Sequence, residues 1–120
     1  MAEHNETGKK GEDMALEFLQ KKGYRILEQN WQLGKNEIDI VARDGDTIVI
    51  VEVKTRTSNW AGEPEAFVDR RKQRLLVRAA NAYVLRKNLQ EEVRFDIIAI
   101  LTGEENTRIN HIPDAFYPTL

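Results

Sequence analysis

Four charged residues stand close together on two β-rich runs: Glu37 and Asp39 on the first, Glu52 and Lys54 on the second. Carboxylate oxygens are the ligands that hard divalent cations prefer, and a neighbouring ammonium reduces the repulsion between carboxylates. The runs, Glu37–Arg43 and Thr47–Lys54, are joined by Asp44-Gly45-Asp46. An Asp-Gly between β-rich runs predicts a hairpin. With a two-residue turn, either Asp44-Gly45 or Gly45-Asp46, alternation puts Asp39 on the same face as Glu52. One face then carries Ile38, Ile40, Ala42, Val49, Val51 and Val53 and should be core. The other carries Glu37, Asp39, Val41, Arg43, Ile48, Ile50, Glu52 and Lys54, apolar in its middle and charged at its far end. If Gly45-Asp46 forms the turn, Asp39 lies opposite Glu52 and Glu37 opposite Lys54. Two carboxylates ~5 Å apart repel by roughly 3 kcal/mol at an effective dielectric of ~20. Stability alone gives no reason to build this. A divalent cation would reverse the sign, and Lys54 would reduce the repulsion without one. A solvated sheet face with its charges paired to Lys54 and Arg43 is the other reading of the same residues.

The elements that must position these groups follow from periodicity. Residues 1–6 are polar and expected to be disordered. Thr7 can cap a helix from about Gly8 to Lys22, with Ala15, Phe18 and Leu19 as its apolar stripe and Gly23 as its stop. Glu12 falls in its first turn, where the dipole favours a carboxylate, yet also on the inward stripe with Ala15 and Leu19. Tyr24–Asn30 reads as a strand with Tyr24 and Ile26 on one face. Thr55–Pro64 reads as a polar loop. A second helix is expected from about Asp69 to Asn88, with Leu76, Ala79, Ala80 and Tyr83 inward. Val93–Leu101 is a strand and Arg108–Ile112 a short last one. The order α-β-β-β-α-β-(β) predicts an α/β domain, a mixed sheet flanked by helices. The two strands joined through the second helix should be parallel by a right-handed crossover.

Asp39, an intervening hairpin and Glu52-Val53-Lys54 make a D…ExK arrangement. On it the chain resembles the PD-(D/E)XK nuclease superfamily, whose fold is restriction-endonuclease-like. More narrowly it resembles the YraN-like family of uncharacterised bacterial proteins, which look related to archaeal Holliday-junction resolvases. The matching residues are Gly8-Lys9-Lys10-Gly11-Glu12, Gly23-Tyr24, Asn30, Glu37-Ile38-Asp39-Ile40-Val41-Ala42, Val51-Glu52-Val53-Lys54-Thr55-Arg56, Lys72 and Arg94-Phe95-Asp96. Asn36 stands where the family usually has glycine, and Ile38 replaces the proline that names the superfamily. The resemblance implies a Mg²⁺- or Mn²⁺-dependent hydrolysis of DNA phosphodiester bonds, on branched or repair and recombination intermediates. Asp39, Glu52, Glu12 and the carbonyl of Val53 would hold the metal. Lys54 would position the attacking water or stabilise the phosphorus centre, and Glu37 lies on the same face. The resemblance to dimeric resolvases also admits a homodimer.

Arg70, Arg71, Lys72, Arg74 and Arg78 put cations on the second helix without an intervening acid. Arg70, Arg74 and Arg78 recur every fourth residue as one stripe, and Arg56, Arg86 and Lys87 extend the basic surface. DNA phosphates are the expected partner, against the alternative of an ordinary solvated helix face. Lys72, four residues before Leu76, shares that residue's face. Trp31 and Trp60 fall in predicted loops, where each could stack on a base or plug the core. Arg94 and Asp96 share a strand face, as an ion pair or as site groups. His4 and His111 form no cluster.

The chain has 120 residues, no cysteine, and 18 Lys+Arg against 20 Asp+Glu, a net charge of −2. One domain spanning 1–120 is expected. The absence of cysteine excludes zinc ribbons, iron–sulfur sites, thiol catalysis and disulfides. No apolar run is long enough for a membrane span, and no signal peptide is recognisable, so a cytoplasmic protein is expected. A nucleic-acid-binding module without catalysis is the alternative function.

Overall fold

The computed structural model describes residues 2–57, 68–103 and 105–117, with side chains from residue 9 onward. The order is α1 (Ala2–Lys21), β1 (Arg25–Leu33), β2 (Asn36–Asp44), β3 (Thr47–Thr57), α2 (Arg70–Arg86), β4 (Glu92–Thr102) and β5 (Thr107–Ile112). The strands form one open sheet in the order β1-β2-β3-β4-β5. β3 and β4 run parallel and the other neighbours antiparallel. This is the mixed α/β architecture, in the element order expected of a restriction-endonuclease-like fold. No helix among the described residues is long and apolar enough to cross a membrane.

The sheet buries both faces. α1 packs Ala15 and Leu19 against Ile40, Ala42, Val49, Val51, Ile98 and Ile100. α2 packs Leu76, Ala79, Ala80 and Tyr83 against Val41, Ile48, Ile50, Phe95 and Ile97 on the opposite face. Both helices use the stripes their periodicity predicts. Asp69 caps α2 by accepting from the Lys72 N–H at 2.9 Å. Gly23, at φ 94, ends α1.

The hairpin turns at Gly45-Asp46, since Asp44 pairs with Thr47 and Ile40 with Val51. Continuing that register would bring Asp39 opposite Glu52, but the ladder stops one pair short. The strands part there, and Asp39 Oδ2 accepts the Val53 N–H at 2.8 Å instead.

Several expectations are corrected. α1 starts at Ala2, so residues 2–6 are helical and Thr7 lies inside the helix rather than at its cap. No proline interrupts that stretch, and alanine and glutamate favour helix. Ile38 packs with the α2-side core instead of sharing the α1 side with Ile40. The alternation slips where Asn30, at φ 52, and Asp39 drop out of the β1–β2 register, between the pairs Gln29–Ile40 and Trp31–Ile38. Trp31 is on β1, not in a loop, and packs edge-on against Tyr83 at 5.2 Å. The predicted loop at Thr55–Pro64 begins later, because parallel pairing with β4 carries β3 on to Thr57. Residues 58–64, including Trp60, lie outside the described residues.

Candidate metal and phosphate site

Where β2 and β3 part, a cleft of about 550 Å³ opens between the two helical layers. Glu12, Glu37, Asp39, Glu52, Lys54 and Lys72 line it. α1 brings Glu12, β2 brings Glu37 and Asp39, β3 brings Glu52 and Lys54, and the first turn of α2 brings Lys72. Arg56 and Val53 also line the cleft, as do Lys35 from the β1–β2 turn and Asn36 at the start of β2.

Glu12 reaches the cleft because α1 lies close on β3. A Cβ added at Gly11 would sit 2.3 Å from Thr55 Oγ1, so only glycine permits this approach. The carboxylates of Glu12, Glu37 and Asp39 offer oxygens within 4.8 Å of one another. With its amide nitrogen turned to these acids, Asn30 donates to Glu12 Oε1 at 2.7 Å and to Glu37 Oε1 at 2.6 Å.

Glu52 is 3% exposed. Its Oε2 faces two ammonium groups, Lys54 Nζ at 3.3 Å and Lys72 Nζ at 3.5 Å. Its Oε1 is buried and has no hydrogen-bond partner among the described residues. A buried carboxylate oxygen left unpaired is costly, and a bound cation is one of the groups that would satisfy it.

Electrostatics tell the same story for Asp39. Burial, then the charge of Glu52, pushes its carboxyl up to about 8, against the opposing hydrogen bond from Val53. Burial and the charge of Glu37 also raise Glu12. Acids this crowded favour a positive ion among them, and the oxygen-only donor set suits Mg²⁺ or Mn²⁺. The residues therefore fit a divalent cation.

The structure brings Asp39, Glu52, Lys54, Glu12 and Val53 to one place. It separates the α2 cations into two groups. Lys72 turns into the cleft, while Arg70, Arg71, Arg74 and Arg78 are exposed, and none of these four forms an ion pair with a described carboxylate. Arg86 lies over the Trp31 ring at 5.6 Å, and Lys87 lies 3.6 Å from Glu28. Those two have structural partners. Lys35 and the bridging of Glu12 to Glu37 by Asn30 were not foreseen. The glycine preceding Lys35, at φ 59, was the available signal of a turn beside the site.

Arg94 and Asp96 lie outside the cleft. Asp96 accepts from Arg94 at 2.9 and 3.0 Å, from His111 Nε2 at 2.7 Å and from the Asp114 N–H at 3.0 Å. Lys22 Nζ is 2.8 Å from His111 Nδ1. An ammonium only donates, so Nδ1 accepts and Nε2 carries the proton toward Asp96. This pair is structural.

Comparison with known proteins agrees with the resemblance. The model of the uncharacterised protein family UPF0102 matches residues 11–100. A UPF0102 protein of Flavobacterium psychrophilum is 55% identical over 117 residues, covering 98% of each chain. One of Christiangramia forsetii is 50% identical over 117 residues, again covering 98% of each. One of Bacteroides thetaiotaomicron is 48% identical over 120 residues, covering 100% of this chain and 99% of its own. On the family match and these full-length similarities, the chain belongs to the UPF0102 family.

Proposed function

We propose that the protein is a divalent-metal-dependent nuclease that hydrolyses DNA phosphodiester bonds in the cleft where β2 and β3 part. The observation that carries this reading is Glu52, buried, with one oxygen facing two lysines and the other unpartnered among the described residues. Stability alone would not retain that arrangement beside a second crowded acid. Asp39, Glu52, Glu12 and Glu37 hold the cation, with the carbonyl of Val53 beside them. Bound there, Mg²⁺ or Mn²⁺ supplies positive charge that eases deprotonation of water and stabilises the phosphate as its charge grows. Lys54 donates to a phosphate oxygen or to the attacking water, and its ammonium offsets charge on phosphorus. Lys72 brings a second ammonium from α2. Arg56 extends the cationic wall along β3. Arg70, Arg71, Arg74 and Arg78 engage backbone phosphates away from the scissile bond, giving affinity without sequence preference.

Two measurements test the reading together. Mn²⁺ should raise the melting temperature of the wild type and not that of Asp39→Asn. At low salt, purified protein should cut at least one of single-stranded, duplex, flap and four-way-junction DNA, and EDTA should stop it. Salt-dependent binding without cutting would replace the nuclease by a binding module. No response to metal or DNA would remove both.

A further inference from the structure

Glu12 and Glu37 stand on different elements, α1 and β2, and like charges at that separation repel. The group that joins them is Asn30 of β1: facing only acceptors, its amide is satisfied with the nitrogen toward the acids, where it donates to Glu12 at 2.7 Å and to Glu37 at 2.6 Å. Asn30 is exposed and holds φ 52, a left-handed conformation that suits glycine best. It sits in the gap in the β1–β2 register, opposite Asp39, the third carboxylate of the cluster. Backbone needs alone would be better met by glycine. Among residues that visit this conformation readily, only asparagine brings two N–H donors and no charge. Aspartate would add a further negative charge, and glycine has no side-chain donor. An Arg or Lys would bring a positive charge that competes with a metal ion. That the cluster faces a ligand is supported independently by Glu52, which lines the same cleft and whose buried Oε1 lacks a partner among the described residues.

We propose that Asn30 is a positioning residue, a neutral clamp. It uses both amide hydrogens to hold Glu12 and Glu37 together, so that the site is assembled before a divalent cation arrives. The proposal rests on the metal-dependent reading above. Asn30 does not touch the reacting atoms. Its amide keeps two acids on separate elements from drifting apart, so the ordering is already in place when the ion binds.

Asn30→Gly separates the clamp from the backbone, because glycine keeps φ 52 without strain. Isothermal titration of metal-free protein with Mn²⁺ should show about 10- to 100-fold weaker binding in Asn30→Gly, the range expected for loss of a group that orients ligands. The melting temperature of the metal-free variant should stay close to that of the wild type. Equal Mn²⁺ affinity in the two proteins would overturn the clamp while leaving the metal site standing. No Mn²⁺ binding by the wild type would overturn the metal reading and the clamp with it. A measurement on the wild type alone guards against misfolding of the variant. In ¹⁵N–¹H spectra the Asn30 side-chain amide should exchange slowly with water and shift as Mg²⁺ is added. Exchange at the rate of a free amide would contradict the clamp.

Discussion

Two acidic residues are almost fully buried in this sheet, Glu52 at 3% exposure and Asp96 at 1%, and their surroundings are opposite. Asp96 is saturated: Arg94 grips both its oxygens, His111 and the Asp114 N–H complete the set, and these bonds hold its carboxyl below the usual range despite burial. Arg94 in turn bonds Asp44 at 3.1 Å and Tyr24 at 2.7 Å, so the network ties β4 to the hairpin turn, to the start of β1 and to the chain after β5. Glu52 has an oxygen with no partner among the described residues and lies beside Asp39, whose carboxyl is pushed up to about 8. One region meets its buried charge with protein donors. The other leaves room for something more, which is the signature expected of a site rather than a brace.

The contrast can be broken most severely at Asp96. Asp96→Ala leaves Arg94 without its main partner and should cost about 3–5 kcal/mol, lowering the melting temperature by more than about 10 °C. A small effect would mean that this network is not the structural one. Next in size is Gly11→Ala, whose methyl meets Thr55 Oγ1. It should cost roughly 1–3 kcal/mol and weaken metal binding through the displaced Glu12. Thr55→Ala in the same chain should restore both, which denaturant melts and Mn²⁺ titration would read.

Smaller, and of opposite sign, is Asp39→Asn. Removing a crowded carboxylate should stabilise the metal-free protein by about 1 kcal/mol or more while abolishing metal binding. The pH dependence sharpens the same point. Asp39 has a folded value above its unfolded one, so the folded protein holds the extra proton between pH 3.8 and about 8. Its contribution therefore favours the metal-free fold at low pH and is lost as pH rises through that window. Asp96 works the other way: its stabilisation is present above 3.8 and lost as pH falls through its lowered folded value. Melting curves of Asp39→Asn should lack the loss between pH 3.8 and about 8, and those of Asp96→Asn the loss below 3.8. The smallest expected effect is on the outward stripe, where Arg78→Ala should reduce the salt dependence of DNA binding by about one phosphate contact without altering metal affinity.

Much of this was legible from the chain. Local periodicity is strong in the hairpin and in α2, so a two-residue turn at Asp44-Gly45 or Gly45-Asp46, the inward Leu76, Ala79, Ala80 and Tyr83, and the parallel β3–β4 pairing followed from it, and the pairing of Asp44 with Thr47 chooses Gly45-Asp46. Asp39, Glu52 and Lys54 were legible from their spacing across the hairpin, although the strands part before Asp39 and Glu52 could pair. What alternation could not carry was the break in it. Asn30 at φ 52 is a backbone choice made where tertiary packing decides, and across from it the alternation along β2 breaks at Asp39, with Ile38 in the other core. The bridging of Glu12 to Glu37 and the embrace of Asp96 by His111 join residues far apart in the chain. Residue spacing carries no signal for either.

The proposed metal-dependent hydrolysis stands or falls at Lys54, which is assigned to the phosphate and not to the metal. Single-turnover cleavage of four-way-junction, flap, duplex and single-stranded DNA should be compared for wild type and Lys54→Ala, at low salt with Mn²⁺. The wild type should cut at least one of these. Lys54→Ala should cut it at least about 100-fold more slowly while binding Mn²⁺ undiminished. A wild type that cuts none of them, or a Lys54→Ala variant that cuts as fast, would contradict it.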